Sequence, residues 1–245
     1  LSSYLHACNR PADHRRERSG RGGESHRRQP ESRSVIYKLY GSPGTASMCV
    51  HWMLLELGVP FEFVSLDFEK GDQKKPDYLK INPTGHVPAL VIDGVAYGEA
   101  AAILMMLAER HPAANLAPAI GAAERATYLQ WMVYLANTLM PAFRLWFYSD
   151  EGAGPENVEA TKAQARIRIE KVWDRVDALL SDGRPYMLGT RLTAVDFLAG
   201  MLTGWSRNMP KTAADWPHVR RYVERVRALP SYQETHKREG LTGWI

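Results

Sequence analysis

The chain of 245 residues has only two cysteines, Cys8 and Cys49, too few for a disulfide framework and without the spacing of a metal-ligating set. A reducing, cytoplasmic setting with no metal site is the expectation that follows. There is no run of the ~18 apolar residues that a membrane-spanning helix needs, and the first residues lack the apolar stretch of a secretory signal. No membrane partner is expected. An excess of one charge is also missing over most of the length. The formal net charge of +4 resides in residues 1–34, where eight arginines face four acids, and the remainder is neutral. Past residue 34 nothing suggests a surface that tracks phosphates, so no nucleic-acid partner is expected. Binding through the arginine-rich segment itself would show as salt-sensitive association that disappears when the segment is removed.

Residues 1–34 are poor in aliphatics and rich in Arg, Ser and Gly, so they cannot offset the entropy of ordering and read as a disordered basic extension. Their four acids argue against a transit peptide, and a start at Leu1 rather than Met suggests a fragment or a misread upstream start. Order is expected from Val35. The β-branched and aromatic run Val35–Tyr40 reads as a strand, a helical pattern runs from Thr45 to Gly58, and Phe61–Leu66 alternates as a second strand. A βαβ crossover places these strands parallel. Asp77–Ile81 is a short helix at best. Ala89–Ile92 and Val95–Tyr97 flank Asp93-Gly94, a pair suited to a two-residue hairpin, and a helix follows from Glu99 to Arg110.

This order, β-α-β-(α)-β-β-α, is that of a thioredoxin-like unit over residues 35–112. After Ala122 strand signals vanish, so an all-α domain is expected over 122–245, giving an α/β plus all-α protein. Its helices are read at Tyr128–Phe147 with a kink at Pro141, at Thr161–Leu180, near Trp216–Leu229 and at Tyr232–Arg238. In Leu192-Thr193-Ala194-Val195-Asp196-Phe197, Thr193 can cap a helix, Asp196 can return a bond to its N–H, and Leu192 with Phe197 makes a hydrophobic staple.

Three strings, Asn82-Pro83-Thr84-Gly85-His86-Val87-Pro88-Ala89-Leu90, Gly98-Glu99-Ala100-Ala101-Ala102-Ile103 and Leu192–Phe197, fall in one order and spacing that resembles the glutathione transferase superfamily, of cytosolic, bacterial-like type. The resemblance implies a transferase that conjugates glutathione, as co-substrate, to small hydrophobic electrophiles in detoxification, or reduces peroxides with it. It also implies a homodimer. The competing reading is a glutathione-binding or interaction protein with little catalysis, because several positions depart from the active patterns.

By the same resemblance, Pro88 is cis and leaves the backbone of Val87 free to pair with the cysteinyl unit of glutathione. The plainer reading is that Pro88 begins an edge strand. Glu99 stands where the family's acid meets the γ-glutamyl amine. Ala100 replaces the usual Ser, so only its backbone N–H remains for the γ-glutamyl carboxylate. Gln73, Lys74 and His86 stand at the positions that hold the glycyl carboxylate, although Lys74 and Lys75 also read as a solvated charge run.

The nucleophile of such a reaction is the thiolate, and a free thiol has a pKa of about 8.5, so a hydroxyl donor is needed at the sulfur. Aligning Pro43-Gly44-Thr45 with the Ser-type classes puts Thr45 on the catalytic serine, while the Cys-type alignment puts Ala46 on the catalytic cysteine. Thr45 is the first candidate donor and Ser47 the second. Either hydroxyl can instead cap the first helix. Cys49, a helical turn deeper, reads as core. Tyr134, Met140, Arg144, Phe147 and Tyr148 are looser candidates for the cleft that takes the electrophile.

Overall fold

The computed structural model describes residues 37–151 and 154–242. The expectation of disorder over 1–34, and the strand start at Val35 and Ile36, lie outside the described residues. The first half alternates strands and helices: β1 Tyr37–Gly41, α1 Ser47–Glu56, β2 Phe61–Ser65, a short α2 Pro76–Leu79, β3 Ala89–Ile92, β4 Val95–Tyr97 and α3 Ala100–Arg110. The four strands form one sheet in the order β2-β1-β3-β4, with β1 parallel to β2 and antiparallel to β3. At the β3–β4 hairpin both Asp93 (φ 50°) and Gly94 (φ 86°) take the left-handed conformation that a tight two-residue turn with matching twist requires.

Among the described residues no further strand follows, only helices: α4 Arg125–Tyr134, a π-turn at Leu135–Leu139, α5 Met140–Phe147, α6 Val158–Leu180, α7 Ala194–Trp205, α8 Pro217–Arg227 and α9 Pro230–Glu239. Helix α4 begins three residues before the expected Tyr128. Arg125 anchors that first turn, donating to the Pro118 carbonyl at 2.9 Å and pairing with Glu109. Pro141 does interrupt the helix it was expected to kink. The wide turn lies just before it, with the Met140 N–H reaching back to the Leu135 carbonyl, which accommodates a residue that has no N–H to give.

Helix α1 is covered on all sides, and Ser47 through Leu54 are all buried because the sheet covers one side and α7 with α9 the other. Trp52 is its principal anchor. Its ring lies 4.4 Å from Phe197 and 5.0 Å from Tyr232, and its indole N–H donates to Ser231 Oγ at 2.9 Å. A ring of this size buried in a core contributes about 2–3 kcal/mol relative to exposure. Gly200 makes the approach of α7 possible, since a Cβ there would stand 2.9 Å from the Trp52 ring.

The string Leu192–Phe197 forms the start of α7 as read. Thr193 is its N-cap in extended conformation, and both halves of the capping box are present. Asp196 is fully buried. One carboxylate oxygen accepts from the Met187 N–H at 2.8 Å, and the other accepts from the Thr193 N–H at 2.8 Å and the Thr193 hydroxyl at 3.0 Å. Burial raises its carboxyl to about 6, with these donors working in the opposite direction.

Candidate functional site

The strand register places four loops at one end of the sheet. Gly41, last in β1, pairs with Ser65, last in the parallel β2, so the chain leaves both strands in the same direction. Tyr40 pairs with Ala89, first in the antiparallel β3, and Leu90 pairs with Tyr97, last in β4. The segments Ser42–Ala46, Leu66–Lys75, His86–Pro88 and Gly98–Glu99 therefore all border that end. It is the end toward which α1 and α3 direct their N-termini, whose free N–H groups favour negative charge.

The loop after β1 brings two hydroxyls together on the backbone of Ser42. Thr45 Oγ1 donates to the Ser42 carbonyl at 2.6 Å and lies 2.9 Å from Ser47 Oγ. Ser47 Oγ accepts from the Ser42 N–H at 3.2 Å. The two candidate donors differ in access, since Ser47 is fully buried and Thr45 is half-buried. Neither is a strong cap of α1: the N-cap position is Ala46, and the Ser47 N–H is 3.5 Å from Thr45 Oγ1, longer than an ordinary N–H···O bond. Cys49 is buried beneath the loop with its thiol on the Ala46 carbonyl at 3.2 Å. Burial pushes that thiol up, so it is a core residue and no nucleophile.

The Val87–Pro88 peptide is cis, and among the described residues no hydrogen bond engages the Val87 N–H or C=O. His86 is exposed, but its carbonyl is fixed by the Tyr78 hydroxyl at 2.6 Å and the Asn82 amide at 2.7 Å. Burial raises the Tyr78 hydroxyl to about 12, which keeps it a donor. The lysine pair divides. Lys75 is tied to Asp72 at 2.6 Å, whereas Lys74 leans over Gly85, its Nζ 3.0 Å from where a Cβ would be. The backbone carbonyl of Gln73 approaches the same point to 3.0 Å. Gly85, in the left-handed region at φ 66°, thus lets the 71–75 loop close against the residue before His86.

Glu99 is exposed and stands immediately before α3 with φ 63° and ψ 103°. A non-glycine residue there costs about 1–3 kcal/mol and marks a position held for a purpose. A Cβ at Gly98 would stand 3.8 Å from the Asn82 side-chain amide, the group that fixes the His86 carbonyl. Ala100 is buried and offers the site its backbone alone.

Sequence reading missed what anchors the Thr45 loop. Glu239, at the end of α9, accepts from the Gly44 N–H at 2.8 Å and pairs through its other oxygen with His51 Nδ1 at 2.8 Å. Trp205, at the end of α7, donates from its indole to the Gly44 carbonyl at 3.0 Å. The two peptide planes that precede Thr45 are thereby fixed by the helical half. No local pattern signals partners so distant in sequence. The Trp205 ring also meets Phe143 at 5.8 Å and Phe147 at 6.1 Å edge-on, bringing an aromatic cluster beside the loop. Among the looser candidates, Phe147 belongs to this cluster, and Arg144 lies over Tyr148 while pairing with Glu151. Tyr134 is occupied elsewhere, under Arg175 and against Trp131.

Comparison with known proteins matches this arrangement. The pattern "Glutathione S-transferase, N-terminal domain" matches residues 39–115, and "Glutathione S-transferase, C-terminal domain" matches residues 134–230. The glutathione S-transferase GstA of Escherichia coli O157:H7 is 29% identical over 206 residues, covering 83% of this chain and 99% of that one. Glutathione S-transferase GST-4.5 of Xanthomonas campestris is 30% identical, again over 83% of this chain and 99% of its own. Among solved structures, a glutathione transferase homologue from Sulfitobacter with bound glutathione superposes with a TM-score of 0.77 at 29% identity, over 84% of this chain and 99% of that one. A sphingomonad glutathione S-transferase complexed with glutathione gives 0.73 at 30% identity, over 84% and 100% of the two chains. With both domains matched in order and relatives aligned along nearly their whole length, the chain belongs to the glutathione S-transferase family.

Proposed function

We propose that the protein binds glutathione at the end of its sheet and transfers the glutathionyl sulfur to small hydrophobic electrophiles. The observation that carries this reading is the convergence there of an unpaired Val87 backbone, the strained Glu99, Lys74 over Gly85 and the half-buried Thr45 hydroxyl. The Val87 N–H and C=O pair with the cysteinyl backbone as an added strand would. Glu99 meets the γ-glutamyl amine, and the Ala100 N–H at the start of α3 meets its carboxylate. Gln73, Lys74 and His86 serve the glycyl carboxylate. Two relatives whose structures hold glutathione support glutathione as the ligand.

The thiol so placed lies before the N-terminus of α1, which lowers its pKa, and Thr45 Oγ1 turns its proton from the Ser42 carbonyl to the sulfur. The thiol proton leaves to water. On an aryl halide, the sulfur lone pair forms the C–S bond and the halide departs with the electrons of the broken C–X bond. The Phe143, Phe147 and Trp205 rings beside the loop give a planar electrophile an apolar wall. Reduction of hydroperoxides by the same thiolate, a cytoplasmic setting and a homodimer belong to the same proposal. Exposed Leu129 and Val133 on α4 and Val95 and Tyr97 on β4 support the dimer.

The test is calorimetric affinity for glutathione together with turnover of an aryl halide and a hydroperoxide. Saturable binding with turnover of either is expected. Absence of binding at millimolar glutathione overturns the proposal, and tight binding without turnover favours a binding protein instead, a reading to which Ala46 and Ala100 lend weight.

A further inference from the structure

We infer that Ser47 is a positioning residue for the thiolate, acting through Thr45 by a relay of hydroxyls that begins and ends on the backbone of Ser42. The inference rests on the assignment of Thr45 as the thiolate's donor. Ser47 itself touches no substrate, because it is fully buried.

The distances define a closed ring. The Ser42 N–H donates to Ser47 Oγ at 3.2 Å, Ser47 Oγ lies 2.9 Å from Thr45 Oγ1, and Thr45 Oγ1 donates to the Ser42 carbonyl at 2.6 Å. With the Thr45 proton on that carbonyl, the donor between the two hydroxyls is Ser47. Each O–H in such a chain is polarised by the donor behind it, so the Thr45 proton is the most acidic link. When a thiolate occupies the site, one rotation about the Thr45 C–O bond moves that proton from the carbonyl to the sulfur. Nothing else in the ring has to move. The carbonyl retains the Thr45 N–H at 3.2 Å, and Ser47 keeps its single proton on Thr45 Oγ1. A buried acceptor is thus not orphaned by the switch.

A second feature shows that the buried hydroxyl is accommodated by design of the fold. A Cβ at Gly41 would stand 2.3 Å from Ser47 Oγ and 2.5 Å from Ser47 Cβ. Gly41 has no left-handed φ, so glycine is required there for space and not for backbone conformation. Ser47 is itself the first residue of α1, and its hydroxyl bonds to Ser42 and Thr45 instead of to an N–H of the helix, so capping does not account for it.

The experiment is a double-mutant cycle on the full chain with Ser47→Ala, Thr45→Ala and both, reading the pKa of bound glutathione from thiolate absorbance, kcat for an aryl halide, and KM for glutathione. Ser47→Ala should raise the bound thiol's pKa and lower kcat near neutral pH about five-fold, with KM for glutathione changed less than two-fold. In the Thr45→Ala background it should have no further effect. Additive effects, or an unchanged thiol pKa in Ser47→Ala where Thr45→Ala raises it, overturn the relay and leave the Thr45 assignment standing. An unchanged thiol pKa in Thr45→Ala overturns both. Should Ser47→Ala fail to fold, Ser47→Cys keeps the volume with a weaker donor, and the same shift in direction is required of it.

Discussion

Replacing Glu239 by alanine tests how firmly the last helix holds the first loop. The carboxylate is completely buried, bonded on one side to the Gly44 N–H and on the other to His51, whose side chain is only 2% exposed. Nothing else described replaces it, and the far nitrogen of His51 already lacks a hydrogen-bond partner. The alanine variant leaves two buried donors without an acceptor and opens a void. Breaking a buried charge-assisted pair costs about 3–5 kcal/mol, and a value near 4 kcal/mol lowers the melting temperature by about 8–16 °C for a chain of this size. Glu239→Gln keeps the shape and one acceptor, so it should lose about half as much. Thermal and urea unfolding of the three proteins gives the comparison. If Glu239→Ala unfolds within about 1 kcal/mol of the parent, the clamp on Gly44 does not contribute as its geometry implies.

Other substitutions separate function from fold. Glu99→Gly should raise stability by about 1 kcal/mol by relieving the positive φ, while weakening glutathione binding at least ten-fold; calorimetry and melting on one preparation read both. Lys74→Ala should weaken glutathione binding several-fold, and Lys75→Ala should not, because Lys75 already serves Asp72; equal losses contradict the division of that pair. Asp196→Asn puts an amide donor against the N–H donors of Met187 or Thr193 and should destabilise the fold by about 2–4 kcal/mol in denaturant titration. In the parent, Asp196 should titrate near pH 6 by carboxyl-carbon NMR. Its raised pKa means that the native state keeps the proton longer than the unfolded chain, so this group alone lowers stability as pH rises from about 4 to about 6.

The sheet half was largely legible because its signals are local. Alternation in Phe61–Ser65, the Asp93-Gly94 pair and the proline before Ala89 each act within a few residues of where they stand. The start of α7 was legible for the same reason, since Thr193 and Asp196 are three residues apart and complete each other. The two hydroxyls of the Thr45 loop could be ranked in sequence by resemblance only, with Thr45 before Ser47. What sequence could not show is their difference in burial, set by α1 sinking between the sheet and the later helices. The earlier start of α4 rests on Arg125 reaching Glu109, outside any helical repeat. Most opaque was the grip on Gly44, whose partners Trp205 and Glu239 follow 161 and 195 residues later.

That separation has a consequence for the order in which the molecule is made. Synthesis runs from the first strand onward, so a nascent chain can complete its sheet while the indole and carboxylate that hold Gly44 are still untranslated. Until α7 and then α9 emerge, the loop carrying Thr45 is without its two remote anchors. The site proposed for the sulfur is therefore finished last, although its residues are among the first of the described chain to be joined. A product stalled before α9 would possess the sheet and lack the set loop.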